Sequence, residues 1–585
     1  MKSRHSYPAA APFVRPSAAL LALSGSTLLA GPAAASPLPL TVVSYSGQSA
    51  PGQPTGVTFA FFDQPRPGRD PATGWPILSF WSELAGPGLT SANNQAIYTD
   101  RSGALAPVYA SGADAPWYTL TTFNAFSQLA AGIDGSIALV GVVTDIGLPP
   151  NSSLEAKNGG IFIESSPGTL LPLAREGEPT PAFPLLAWNN MSSLHTPDSG
   201  AGSFWSGTPG IIWRIDGPTP AAAYAPGMTL PGLAPAETID AIAPHTQGPA
   251  GELTLHAQII EVDPRFPIDA GLWIDRVSGP ELLARTGDPA ISGLYTYAKL
   301  APRAAINASG AAAFHAIITD EFSIPSHALF LNSGSTSLPI AIEGDPCPAL
   351  SGDVRFGSLG ASPAINACGH IAFRATLTGA DTTTLTNGAI IRRNPDGSFD
   401  ALLREGDAIA DLPGFSIKSL GDPVLMDSGA VVCMASAIDL AATNSGRQVL
   451  LAVTDLGHVR LVASVGQSIE LAPGDSRTIE SILWTTDPSG GGNAQAAADG
   501  RIAIVLHLAG NAHALVTAYL PPVDDVNTDG LVDILDFLDF VDVFSTCELQ
   551  PAPCPDSTFN VDLDASGTVD ILDFLLFIDA FGSGC

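Results

Sequence analysis

Polar turn residues followed by alternating apolar residues recur along most of this chain. The clearest examples are "INASGAAAFHAII" (306 to 318) and "INACGHIAFRATL" (365 to 377), with weaker relatives "GIDGSIALVGVV", "MDSGAVVCMASAI" and "ADGRIAIVLHLA". Asn or Asp shortly before Gly is tight-turn chemistry, and the period of two after it predicts a half-buried strand. Another strand follows in each unit, as in "GIFIES" (160), "GLWIDR" (271), "ALFLN" (328) and "AIIRR" (389). A further phrase, an apolar run ending in x-Gly-Asp/Glu, closes each unit: "LLPLAREGEPTPAF" (170), "ELLARTGDPAISGL" (281) and "ALLREGDAIADLPG" (401) are its best copies. Its marker glycines are Gly47, Gly112, Gly177, Gly227, Gly287, Gly344, Gly406 and Gly466, spaced 50 to 65 residues apart.

Eight units that each supply at least three short strands cannot bury their apolar faces singly, so they must stack. Solenoid coils take about 20 to 30 residues and propeller blades about 40 or more, so the period points to a β-propeller. "LTVVSYSG" near the start is a strand of the marker type, while "IAIVLHL" and "ALVTAYL" (502 to 520) end the repeats, as if one blade were completed from both termini. The predicted fold is mainly β: an eight-bladed propeller over residues 36–520, or seven blades if one unit is not a blade, followed by a small α-helical module over 521–585.

Residues 1–35 are set apart, because Lys2, Arg4 and Arg15 precede an apolar run from Ala18 to Ala30 and a small-residue site at Ala33-Ala34-Ala35. This is the pattern of a secretory signal peptide, and no later segment reaches 18 uninterrupted apolar residues. The expected protein is secreted or associated with the cell surface, with no transmembrane segment after cleavage. Composition agrees with short strands and tight turns, at 59 Gly, 51 Pro and only 14% charged residues. The net charge of −32 makes nucleic acid and anionic membranes poor partners. Residues 521 to 585 hold thirteen Asp, one Glu and no Lys or Arg, so a cation is the expected partner there.

Three cysteines (Cys347, Cys368, Cys433) lie in the repeats and three (Cys547, Cys554, Cys585) in the tail, without zinc or redox spacing. Cys547 and Cys554 could close a small loop, and the odd counts leave a thiol in each region unless the regions are bridged.

Catalytic signatures are missing from the repeats: no GxSxG, HExxH, P-loop or GxGxxG pattern occurs in its required context. Equivalent positions of the "AFHAI" strand hold Trp81, Val140, His256, His315, Arg374, Met434 and Val505, so His256, His315 and Arg374 would form a ligand site only if they faced a central channel. Glu178, Asp288, Asp345 and Asp407 follow marker glycines; a glycosidase-type pair is one use, and bonding of nearby amides the simpler one. Asn151, Asn190 and Asn307 sit in glycosylation sequons. The phrases resemble the tandem Asn-x-x-Gly-x-x-Ala-Phe repeats of secreted bacterial, planctomycete-like proteins. That resemblance covers residues 37 to 520 and implies an architecture and an export route without an activity.

The tail carries the most specific motif. "DVNTDGLVDILDF" (525 to 537) is repeated as "DLDASGTVDILDF" (562 to 574). Counting from the first Asp, oxygen ligands fall at Asp525, Asn527, Asp529, Asp533 and Asp536, with Leu531 offering its carbonyl and Gly530 making the turn; the second copy has Asp562, Asp564, Ser566, Asp570 and Asp573, with Thr568 and Gly567. This is EF-hand-like calcium-loop spacing, and it predicts two Ca2+ ions. Prolines before each loop argue against entering helices, whereas a helix should leave each loop, with Asp533, Asp536, Asp539 and Asp542 on one face and Ile534, Leu535, Phe537, Leu538, Val541 and Phe544 on the other. The duplicated loop and exit helix resemble a dockerin of the variety ending in Gly-Cys, here "GSGC" through Cys585. The resemblance implies docking to a cohesin-like or other surface receptor.

The sequence thus predicts an exported, non-enzymatic propeller, offering a glycan or protein ligand site, fixed to an extracellular or cell-surface assembly by a calcium-dependent tail. The alternative is a carbohydrate-active enzyme, a glycoside hydrolase or lyase, with the same tail.

Overall fold

The computed structural model describes residues 37–585 apart from 71–72, 74, 117–120, 133, 146–158, 197–201, 208–209, 261–268, 277, 292, 335, 380–381, 440–445, 486–494, 498, 523, 528–531, 533, 548–561, 564–567 and 584–585. The predicted signal peptide, and Asn151 among the sequons, lie outside the described residues.

Eight antiparallel sheets of four or five strands follow one another along the chain. In blade 5, after a short leading strand Pro289–Ile291, the four main strands run Tyr295–Ile306, Ala312–Thr319, Pro325–Asn332 and Ser337–Ile342 in spatial order, each paired with the next. First strands touch in succession from blade 1 through blade 7, so they ring the axis and each fourth strand lies outermost. The last blade is completed from both termini. Thr41–Tyr45 pairs with Ala512–Tyr519 in the register Val42↔Val516 and Tyr45↔Ala514, which supplies that blade's outer strand. Eight blades are therefore present, and the seven-bladed alternative is removed.

The apolar core lies mainly between blades. Leu272 and Ile274 of blade 4, for example, pack with Leu300, Phe314 and Phe330 of blade 5. This is why a single unit is not stable alone: one face of every sheet needs its neighbour.

Each sequence marker now has a physical role. All eight marker glycines have φ between 82° and 92°, the left-handed region in which a Cβ is strained. Each donates its N–H to a carbonyl at the start of the next blade, at Phe59, Phe123, Trp188, Ile239, Tyr297, Phe356, Ile417 and Ile479, over 2.7 to 2.9 Å. The Asn of the second phrase does two tasks. Asn307 Oδ1 accepts the amides of Ser309 (3.2 Å) and Ala311 (2.9 Å), closing its own turn, and Nδ2 donates to the Asn366 carbonyl of the next blade (2.9 Å). Asn366 repeats this, accepting from His370 N (2.8 Å) and donating to Met426 O (2.8 Å).

A third contact between blades was not legible in the repeats. An arginine at or just beyond the end of the third strand donates to the carbonyl of the turn glycine in the next blade: Arg101 to Gly135 (2.8 Å), Arg214 to Gly251 (3.0 Å), Arg276 to Gly310 (3.0 Å) and Arg392 to Gly429 (2.8 Å). Arg276 also holds Asn332 Oδ1 (2.6 Å) and Glu281. Arg276→Ala should lower stability by about 2 to 4 kcal/mol, because it orphans several partly buried acceptors at once. Thermal unfolding checks this, and a change under about 0.5 kcal/mol would reduce the clasp to a surface contact.

Strands within a blade alternate in direction, so the marker loops share one end of the propeller. The Asn turns and the turns between third and fourth strands share the other end.

Candidate calcium-binding tail and its attachment

The tail begins at the Asn-turn end, where the last third strand finishes at Tyr519. Its two helices, α1 (Ile534–Cys547) and α2 (Ile571–Ser583), follow the two acidic loops as the spacing predicts. Phe540 and Phe577 stack at 3.9 Å and 5° between them, with Val526, Leu563 and Val569 completing a small core. Leu456, from the turn between the third and fourth strands of blade 7, packs into the same core, and the Tyr519 hydroxyl donates to Asp525.

The helix faces differ from expectation. Asp536 and Asp573 are fully buried, while Ile534, Leu535, Leu538, Ile571, Leu572 and Leu575 are more than half exposed. Sequence amphipathicity assigned the acidic stripe to solvent. Asp539 and Asp542 of that stripe are exposed as expected, whereas the other two carboxylates are buried because they are tied to the loops: Asp536 Oδ1 accepts the amide of Asn527 (3.1 Å), and Asp573 accepts those of Leu563 (2.6 Å) and Asp570 (2.8 Å). The exposed apolar surface of the two helices is aliphatic.

Of the twelve predicted ligands, Asp525, Asn527, Asp536, Asp562, Thr568, Asp570 and Asp573 are described, and Asp529, Leu531, Asp533, Asp564 and Ser566 lie outside the described residues. Loop positions 1 and 12 (Asp525 with Asp536, Asp562 with Asp573) are buried in both copies, and the position 12 carboxylate folds back onto the loop's early amides in both. Asp524 is buried as well; burial, then Asp455, Asp525 and Asp536, push its carboxyl up to about 6. Among the described residues, no three His, Cys, Asp or Glu side chains converge to hold a metal ion. The donor set is all oxygen and mostly anionic, without a basic residue in the tail, and that chemistry fits a hard divalent cation.

The cysteines resolve by arithmetic. Cys347 and Cys433 are free and buried, whereas Cys368 and Cys547 are disulfide-bonded. With six cysteines in the chain and both other repeat cysteines free, the partner of Cys368 belongs to the tail. Cys368 sits in the Asn turn of blade 6, at the same end as Leu456 and Tyr519, so covalent and packing contacts agree. Proteolytic nicking between propeller and tail should leave the fragments joined on a non-reducing gel and separated by reductant, while Cys368→Ser should separate them without it. Separation of the unreduced natural chain would refute the bridge. The closed loop exceeds 170 residues, for which chain entropy predicts a stabilisation of about 5 kcal/mol.

The predicted channel residues of the propeller are not gathered. His315 is buried and shares a 2.8 Å hydrogen bond with His327, Arg374 pairs with Asp422 at 3.2 Å, and Val140 and Val505 belong to cores between blades. Burial lowers His256. Asp407 accepts the Arg404 amide (3.0 Å), the structural use expected of the marker carboxylates. The residue before the marker glycine is used in the same way and was overlooked: Glu343 accepts from His327 N (2.9 Å) and Glu405 from Gly388 N (2.7 Å).

His315 is pushed down to about 4 by burial and then by His327, and His370 to about 4 by burial and then by Arg392. Both stay neutral when folded but titrate near 6.5 when unfolded. Their contribution to stability is therefore complete above 6.5 and declines as pH falls toward 4. Melting temperature should fall over that window, and His315→Gln should make the fall shallower.

Fold and tail together define an eight-bladed β-propeller closed by its own N-terminal strand and carrying a helical C-terminal module. Among the described residues no helix is long and apolar enough to cross a membrane. The chain belongs to the family of unknown function DUF7453, whose profile matches residues 33–211 and 210–509. No curated protein matches it. Among solved structures, it is similar to the β-propeller domain of the Trilobed protease from Pyrococcus furiosus (9% identity, TM-score 0.33, covering 69% of this chain and 98% of that one). It is also similar to a protein of unknown function from Dyadobacter fermentans (11%, TM-score 0.23, 82% and 99%) and to the polysaccharide lyase Uly1 (9%, TM-score 0.29, 70% and 91%). These values carry no functional argument.

Proposed function

We propose that this protein is an exported, non-enzymatic binding propeller held at an extracellular or cell-surface assembly by a dockerin-like tail that acts when two Ca2+ ions are bound. The observation that carries this reading is the duplicated loop, in which the first and twelfth carboxylates are buried in both copies with no basic residue in the tail. Buried like charges repel and lose hydration, and a divalent cation offsets both costs. Asp525, Asn527, Asp529, Asp533 and Asp536, with the Leu531 carbonyl, would hold one ion; Asp562, Asp564, Ser566, Asp570 and Asp573, with the Thr568 carbonyl, would hold the other. Beside each loop, equivalent aliphatic triplets (Ile534, Leu535, Leu538 and Ile571, Leu572, Leu575) are exposed, which is the surface that a cohesin-like or other receptor would cover.

The test immobilises the full oxidised chain and exposes it to the producing cell's envelope and secreted proteins, with calcium or with chelator. Capture of one defined protein only with calcium, abolished by Leu538→Asp with Leu575→Asp, is the expected result. Calcium-independent capture, or calcium binding without capture, would overturn docking and leave the tail as a clip.

A further inference from the structure

The chain is acidic and almost free of lysine. Of four lysines, Lys2 lies in the predicted signal peptide and Lys157 outside the described residues. The remaining two, Lys299 and Lys418, stand on first strands of the propeller, Tyr295–Ile306 of blade 5 and Phe415–Leu425 of blade 7. Arg303 lies four residues beyond Lys299 on the same strand. All three side chains are exposed, and among the described residues none of them makes an ion pair, although the net charge is −32. Most of the other cations are absorbed by structure: Arg101, Arg214, Arg276, Arg285, Arg392 and Arg501, for instance, hold carboxylates and neighbouring carbonyls.

The strand register places Lys299 and Lys418 at the marker-loop end, whereas Arg303 lies nearer the Asn307 turn. The marker glycines bond Tyr297 and Ile417, so Lys299 and Lys418 stand two residues and one residue past equivalent points. First strands bulge there, between Tyr297 and Lys299 and between Ile417 and Ser419. A bulge breaks the alternation of side chains along the strand. Between them, blade 6 presents Ser358, exposed at the position equivalent to Lys299, and Ser419 lies exposed beside Lys418. On the flanks, Asp240 of blade 4 and Glu480 of blade 8 occupy the position equivalent to Lys418, so the positive arc is confined to blades 5 to 7.

We propose that this arc, at the marker-loop end of the axis and opposite the tail, binds an acidic saccharide through carboxylate groups on its sugar units. Cations recurring on alternate blades suit a chain of singly charged units, and the serines between them suit sugar hydroxyls. The −32 background repels a dense polyanion, so binding must be local and short-ranged. The proposal rests on the reading of the propeller as a binding module and adds a ligand class and a place.

The test uses the full chain, with trigalacturonate as probe, maltotriose as neutral control and sodium sulfate as competitor, followed by calorimetry at low and high salt. Trigalacturonate should bind at low salt and weaken as salt rises, and maltotriose should not bind. The double variant Lys299→Ala, Lys418→Ala should lose about tenfold or more in affinity. Restoring both positions as Arg should recover most of it. Equal binding by the double variant, equal binding of maltotriose, or no trigalacturonate binding at millimolar concentration would each overturn the proposal. Competition by sulfate as strong as binding of the trisaccharide would also overturn it, by reducing the arc to a site for simple anions. Calcium-dependent capture through the tail does not involve these lysines, so its persistence in the double variant separates failure of this site from failure of the docking reading.

Discussion

Deleting residues 37–46 should abolish cooperative folding of the propeller, because it removes the outer strand of the last blade and with it the closure of the ring. The strand contributes its ladder to Ala512–Tyr519, a bond from Leu38 N to Leu461 O (2.9 Å), and the buried Leu38 and Ser44. Its loss uncovers Leu515 and Val516, both fully buried, and leaves an unpaired strand edge. Burial and ladder terms together put the cost at about 5 kcal/mol or more, comparable with the whole stability of an ordinary domain. Thermal unfolding and limited proteolysis would measure it. A synthetic peptide of residues 37–47 added to the truncated chain should restore part of the transition, since the missing element is a strand and not a covalent constraint. A truncated chain that melts within a few degrees of the full one would show that the ring does not depend on its closure.

Asp573→Ala should unfold the second half of the tail. The carboxylate is fully buried and accepts two loop amides, so its removal orphans both donors for a cost of about 2 to 4 kcal/mol. A 65-residue module with six buried core residues among those described has little reserve against such a loss. Asp573→Asn discriminates between roles. If the side chain only accepts amide hydrogen bonds, Asn keeps one acceptor oxygen and most of the order, with unchanged response to calcium. If it ligates calcium, the Asn chain should fold at saturating calcium but need about tenfold more of it. Helical circular dichroism during a calcium titration reads both effects, and an Asn variant indistinguishable from the natural chain would remove Asp573 from the ligand set.

The repeats were legible because their signals are local. A glycine that must adopt φ near 90° and an Asn that must close a turn are demanded by backbone sterics within a few residues, so Gly287 or Asn307 announces its role in the sequence. The innermost strand of each blade was not seen. "YTYAKLAPRAAI" carries bulges at 297/299 and 300/304 and a proline at 302, which break the period of two that marks a strand. The cationic arc was missed for the same reason, since Lys299, Arg303 and Lys418 stand on those strands. The arginine clasps were invisible because a donor such as Arg276 and its acceptor Gly310 come from different blades, 34 residues apart.

The amino-acid sequence by itself determined the repeating unit, its marker and Asn turns, the closure of the last blade by the N-terminal strand and the two acidic loops with their exit helices. Each of these follows from periodicity or from the conformational demands of single residues. Only the tertiary structure decided which carboxylates of the tail helices are buried, which cysteine reaches the tail and which cations on the first strands remain unpaired among the described residues. Those outcomes depend on groups distant in sequence competing for the same few contacts. Asp573 goes inside, against its polarity, because two loop amides wait there, while its neighbour Leu572 is left exposed.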